Sequence, residues 1–341
     1  MRNLPPAYFA LVMATGIVSV AALGFHLPFI AKALFAINLI AYAVLVALTV
    51  IRTALYPRLV VGDLIDHHVG PGFFTLVAAS CLIGVQFLLI AANETAAVIF
   101  LTIGASLWFG LTYTIFVALT IKREKPPLER GISGLWLVAV VAAQAVAVLA
   151  ALVARGQPAS AQPQLEFFAL CMWLAGVMLY LWIITLLFYR YTFFAFSMSD
   201  VDAPSWINMG ALAISALAGT VLAENARETT LLAAILPFLK GFTVFCWAAG
   251  TWWIPLLLAL AAWRLFIDRR RPRYHPADWA ADFPLGMYSE ATRQMAGAFG
   301  LPFLNELSFI MFVIAACAWA LAFAGLLWDL VKALRPRKPE G

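Results

Sequence analysis

Few residues in this chain could do chemistry, and they are widely scattered. Glu290 and Arg293 stand three positions apart in an apolar-rich segment. On a helix that spacing puts an acid and a base on one face, where they can pair. Such a pair can bind a charged substrate or couple its movement to a proton, or it can simply close a helix end. Lys240 is a further charge set in apolar sequence; it can snorkel to an interface or draw anions to a mouth. Asp63, Asp66, His67 and His68 crowd one short stretch, but no spacing among them defines a coordination geometry. A loop that caps the next helix is the simpler reading, and no metal is expected. Asp278 and Asp282 fall where they would favour a helix N-terminus. Cys81, Cys171, Cys246 and Cys317 each sit inside an apolar run without a C-x-x-C spacing, as small core hydrophobes do. The histidines His26, His67, His68 and His275 lie near the ends of apolar runs. None is paired with an acid on a helix face, so no nucleophile–base set is assembled. Neither an enzyme nor a cofactor is expected.

The elements that must carry these residues follow from composition. The chain has 341 residues, 64% hydrophobic and 11% charged, against roughly 25% charged in a soluble domain. A soluble fold of this size still needs a polar skin; a bilayer does not ask for one. Apolar stretches of membrane-spanning length recur throughout. They predict ten helices at about 6–23, 27–51, 71–91, 96–121, 133–153, 165–190, 205–222, 235–266, 277–297 and 303–329, in a single transmembrane domain covering 1–341. The run from Tyr8 to Leu23 is long for a signal-peptide core, and the sequence at Ala21 and Ala22 is a poor cleavage site. Pro5 and Pro6, Pro71, Pro204 and Pro276 mark the starts of spans one, three, seven and nine, where a missing N–H costs little. Pro284, followed by Gly286, should bend the ninth span.

Ten spans place both termini on one face. Lys32, Arg155, Arg227, Lys240 and Arg293 fall on the other face, and the remaining 17 of the 22 Lys and Arg residues fall on the terminus face. Cytoplasmic loops are the basic ones, so both termini are expected in the cytoplasm. The net charge of +5 is thereby topogenic and implies no nucleic-acid partner; the partner is the lipid bilayer.

Odd and even spans differ in chemistry. Aromatic residues are about twice as dense in the even spans. Trp173, Trp182, Trp252, Trp253 and Trp319 would suit a lipid-facing layer and its interfacial belts. The odd spans carry small residues at spacing four, as in Ala139, Ala143, Ala147 and Ala151, which let helices approach closely. Each odd span also holds compact polar groups at mid-depth: Thr15 and Ser19, Ser80, Gln144, Ser215, then Ser289 and Thr292. Polar groups at that depth should face protein or water. The pattern predicts five helical hairpins, an inner ring of odd-numbered helices around a central pore and an outer ring of even-numbered ones. Thr15, Ser19, Ser80, Gln144, Ser215 and Ser289, with Pro284 at the bend, are the candidate pore-lining positions. The bland alternative is that the small residues only pack helices.

The chain resembles the tellurite-resistance and dicarboxylate transporter family, which includes the slow anion channels of plant guard cells and malic acid transport proteins. The resemblance is carried by PPAYFALVMATGIVSV at the start, GPGFFTLVAASCLIG from Gly70, SGLWLVAVVAAQAVAVL from Ser133, APSWINMGALAIS from Ala203, KGFTVFCWAAGTWWIPLLLALAAWR from Lys240 and DFPLGMYSEAT from Asp282. It implies ten helices in five hairpins around a pore, one pore per protomer, and assembly as a homotrimer in a prokaryotic cell membrane. It also implies a phenylalanine that obstructs the pore, matched here by Phe283. The function it implies is passage of small inorganic or carboxylate anions, with proton-coupled carriage of dicarboxylates such as malate as the alternative.

Overall fold

The computed structural model describes residues 2–195, 200, 202–226, 229–267 and 274–334. Ten long helices carry the fold: α1 (Ala10–Gly24), α2 (Pro28–Leu55), α3 (Phe74–Leu89), α4 (Glu94–Ile121), α5 (Val138–Ala154), α6 (Gln162–Phe193), α7 (Ile207–Asn225), α8 (Leu236–Ile267), α9 (Trp279–Phe299) and α10 (Leu304–Leu334). There is no strand among the described residues. Nine of these helices are apolar and long enough to cross a membrane. The exception is α9, whose Asp282, Glu290 and Arg293 lower its hydropathy. It escapes the cost of charge in lipid because it is enclosed: Asp282 is 5% and Glu290 1% exposed.

The odd helices form a closed ring. α1 packs on α3, α3 on α5, α5 on α7, α7 on α9, and α9 returns to α1. Each even helix lies against the odd helix before it in its hairpin, as α2 does on α1 and α10 on α9. Burial separates the layers. In the most apolar stretch of α1, α3, α5 and α7, 78% to 94% of residues are buried, against 22% to 44% in the even helices. The small residues explain the tightness of the ring: at Gly210 of α7 a Cβ would lie 2.7 Å from Cγ of Pro284 on α9. α9 runs helical through Pro284.

Every odd helix is entered through a 3-10 turn: Pro6–Phe9, Gly70–Phe73, Gly134–Leu137, Ala203–Trp206 and Pro276–Asp278. These five turns also touch one another in a closed ring. All five odd helices therefore start on the same face and run parallel. The turns share a short pattern, proline or glycine and then a ring two residues on: Pro6 and Tyr8, Pro71 and Phe73, Gly134 and Trp136, Pro204 and Trp206. The fifth turn has Asp278 in that place. Proline pre-sets the first turn, and glycine serves where a neighbouring backbone comes too close for any Cβ. At Gly134 that Cβ would lie 2.2 Å from the carbonyl oxygen of Pro204.

The inner helices are short, which shapes the mouths. α1 has 15 residues and α3 has 16, whereas the outer helices have 28 to 32. At about 1.5 Å per residue an inner helix is about 22 Å long, less than the hydrocarbon thickness of about 30 Å. Space is left inside the outer ring at each end.

The expected lipid-facing belt needs one correction. Trp182 and Trp252 are exposed, but Trp173 and Trp253 are buried. An indole N–H finds no acceptor in lipid, and these two find one inside: Trp173 donates to the Ser215 carbonyl at 2.8 Å and Trp253 to the Tyr180 hydroxyl at 3.0 Å.

Candidate functional site

Three cavities lie in sequence along the ring. The first, about 230 Å³, opens among the 3-10 turns and is lined by Tyr8, Ala10, Met13, Val138, Ile207, Pro276 and Phe283, among others. The second, about 30 Å³, is walled by all five odd helices, through Val20, Cys81, Val148, Leu217 and Phe283, for example. The third, about 90 Å³, shares Val20, Val85, Val148 and Leu217 with the second and adds Arg155, Glu224, Glu290 and Gln294. Phe283 lines the first and second cavities both. The ring is 3% exposed. It stands between the vestibule on the terminus face and the narrow waist of the axis.

The waist is apolar on every side. Each helix contributes residues three or four apart: Ile17 and Val20, Cys81 and Val85, Ala145 and Val148, Ile214 and Leu217, Phe283 and Met287. A constriction of this kind excludes water as well as ions. The charge that favours an anion is at the ends. Five parallel helices point their N-termini at the first cavity, and each carries about half a positive charge there. Their C-termini face the far mouth, where Arg155 follows the end of α5 and Arg293 crosses the end of α1 at Gly24. Cations at helix C-termini offset the opposite ends of those dipoles.

The polar residues expected to line the pore are elsewhere. Thr15, Ser19, Ser80, Gln144, Ser215 and Ser289 are buried, and none is among the lining residues of the three cavities. Most of them turn outward and join the two helical layers. The Trp319 indole donates to the Thr15 hydroxyl at 2.9 Å, and the Ser19 hydroxyl donates to the Ala31 carbonyl at 2.8 Å. Ser80 and Tyr42 share a hydrogen bond at 2.8 Å, and the Gln144 amide donates to the Trp173 carbonyl at 3.0 Å. Ser289 and Ser308 exchange hydroxyl-to-carbonyl bonds at 2.8 Å, and Trp247 donates to the Thr292 hydroxyl. The Ser215 hydroxyl donates to the Ala211 carbonyl within α7. Pro284 packs on Gly210 rather than on the axis. The reason is energetic: these groups need partners, and the neighbouring helix supplies them at less cost than a dry axis would. Ser19→Ala should therefore lower stability by about 1 kcal/mol and leave anion flux unchanged, read by thermal unfolding in detergent beside liposome flux.

The charged candidates divide. Arg293 donates to Glu290 twice, Nε to Oε2 at 2.9 Å and Nη2 to Oε1 at 2.7 Å, and Glu290 lines the third cavity. Lys240 is exposed, with its ammonium 5.6 Å from the centre of the Phe299 ring, and does not line the axis. Of the terminus-face cluster, Asp63 pairs with Arg52 at 2.5 Å and Asp66 accepts from the backbone of His68 and Val69. Burial, and then the charge of Lys122, lower the pKa of His67. Asp278 closes a capping box with His275. Cys81 and Cys246 are buried, Cys171 and Cys317 exposed, and all four are free thiols. Arg227, residues 269–273 and the tail beyond 334 lie outside the described residues, so part of the charge asymmetry has no structural counterpart here.

Sequence reasoning missed the waist residues. Val20, Val85, Val148 and Leu217 look like any core hydrophobe, and only the ring places them on an axis. It also missed Arg155, Glu224 and Asn225, which join α5 to α7 at the far mouth: Arg155 donates to Asn225 at 2.7 Å and to Glu224 at 2.8 Å. The signal available was a charge at the end of each span.

A closed ring of short helices, with an axial path obstructed at one ring and a wall of lipid-facing helices around it, defines a membrane transport protein. The family model described as voltage-dependent anion channel (SLAC1) matches residues 3–327, and the chain belongs to that family. An uncharacterised transporter of Methanocaldococcus jannaschii is 26% identical over 330 residues, covering 94% of this chain and 92% of the relative. A protein named as a sulfite efflux pump in Trichophyton rubrum is 23% identical over 347 residues, covering 95% and 90%. An uncharacterised membrane protein of Mycobacterium tuberculosis is 32% identical over 132 residues, 39% of this chain.

Proposed function

We propose that the chain is a conduit for small anions, closed in this state by Phe283, with sulfite or other small inorganic oxyanions as its cargo. The observation that carries the reading is the position of Phe283, shared by the vestibule and the waist on an otherwise apolar axis. The ring blocks by bulk and keeps the waist dry. Anions gather at the vestibule because five helix N-termini converge there and because the loops on that face are basic. Both termini are placed in the cytoplasm by the same basic residues, with a homotrimer in a prokaryotic cell membrane as the expected assembly.

Carriage of a C4-dicarboxylate such as malate draws less support. A doubly charged substrate wants cations along its path, and the far-mouth cations Arg155 and Arg293 are already engaged by Glu224 and Glu290. The relative named as a sulfite efflux pump also favours a smaller anion. Purified protein in liposomes should carry sulfite, nitrate or chloride above the rate of empty vesicles. Folded protein that moves none of them would overturn the reading.

A further inference from the structure

The far mouth differs from the rest of the axis because full charges meet there. Glu290 is 1% exposed and faces a cavity of about 90 Å³, the volume of roughly three waters. Both its oxygens are held by the guanidinium fork of Arg293, and Gln294 Nε2 donates to Oε1 at 2.9 Å. The guanidinium is itself fixed, because it crosses Gly24 where a Cβ would sit 2.3 Å from Nε. A pair that merely closed a helix end would need neither the cavity nor the burial, and in water would be worth little.

A fork of N–H donors matches two oxygens of one planar group, whether carboxylate or small oxyanion. We propose that Arg293 is an oxyanion-binding site on the transport path and that Glu290 is a tethered competitor that occupies it between ions. The inference rests on the transport reading. Its ligand class is the small oxyanion with two oxygens free to accept, such as nitrate or sulfite. A halide cannot fill both donors.

The exchange has a definite charge balance. An oxyanion that entered beside an ionised Glu290 would put two negative charges on one guanidinium in a nearly dry cavity. Binding therefore takes up one proton, which goes to the displaced Glu290 carboxylate, and the net charge of the site is unchanged. When the anion leaves, the proton leaves and the bidentate pair re-forms. Other charges around α9 do not supply the missing compensation. Glu224 of α7 is held by Arg155 from the end of α5. α1 and α3 bring Val20, Val85 and Leu89 to this cavity. Lys240 of α8 lies over Phe299, and Glu306 of α10 is exposed.

Nitrate is the probe, because its charge is the same at every pH used. In liposomes holding the whole protein, the wild type should show a lower half-saturating nitrate concentration in acid than in mildly alkaline buffer. Glu290→Gln should lower the alkaline value by about tenfold, the worth of one charge-assisted bond, and abolish the pH dependence. Arg293→Lys keeps the charge but loses the fork, so it should raise the nitrate value by about tenfold and leave chloride nearly unchanged. It carries the test alone if Glu290→Gln does not fold. The proposal is overturned if Glu290→Gln keeps the wild-type pH dependence, or if Arg293→Lys treats nitrate and chloride alike. A wild type that moves neither anion would instead overturn the transport reading, and this site with it.

Discussion

Phe283→Ala should raise anion conductance by about ten- to a hundredfold over the wild type in planar bilayers. The ring is 3% exposed and lies against the walls of both neighbouring cavities. To let an ion pass, it must swing into side chains that already fill the ring of helices, and forcing a side chain into a packed core costs about 1–3 kcal/mol. Each 1.4 kcal/mol is about a factor of ten in rate. Alanine removes that cost and joins the vestibule to the waist. The truncation also removes buried area, so some stability is lost; thermal unfolding measured beside the currents separates conduction from damage. Phe283→Tyr keeps the ring and should stay closed. An alanine variant that is folded and no more conductive than the wild type would remove Phe283 from the mechanism.

Gly134→Val should prevent folding or lower stability by at least about 3 kcal/mol. Its Cβ would fall 2.2 Å from the Pro204 carbonyl oxygen, and the obstruction is backbone rather than a movable side chain. Relief requires separating two of the five 3-10 turns, which opens the ring at the vestibule and exposes packed surface of α5 and α7. Overpacking against a part that cannot move lies at the severe end of single substitutions. Gly110 is the control. It lies on the exposed side of α4 with nothing within 4 Å of its missing Cβ. Gly110→Ala should be neutral or stabilise by up to about 1 kcal/mol, because alanine suits a helix interior better. Yield of monodisperse protein and the midpoint of thermal unfolding report both. A Gly134→Val protein as stable as the wild type would show that the ring of turns tolerates separation.

The architecture was legible because lipid imposes coarse rules. Span length, the alternation of aromatic-rich with small-residue helices, and the proline at most of the odd starts led to ten helices in two layers. The contact ring of α1, α3, α5, α7 and α9 is the arrangement the alternation implied. What failed was the choice of face on each inner helix. On α5 every residue but Leu152 is buried, so burial cannot tell the axis from the neighbours, and hydrophobic periodicity disappears. Polarity then misled: Ser19 and Ser289 were assigned to the axis because polar groups avoid lipid, but an outer helix satisfies them equally well. The repeated turn was also hard to see, since glycine replaces proline at Gly134 and Asp278 replaces the ring of the last turn. Five dissimilar short segments share a backbone shape more than a sequence. Glu290 and Arg293 were visible as a spaced pair, but their place on a cavity came only from the fold.

The central claim is that anions move along the axis past Phe283, and the reversal potential of the Phe283→Ala current tests it most directly. With unequal concentrations of one anion across the bilayer, the current should reverse near that anion's Nernst potential and stay there when the cation is exchanged. A current that follows the cation instead, or that does not respond to the anion gradient, would contradict the account.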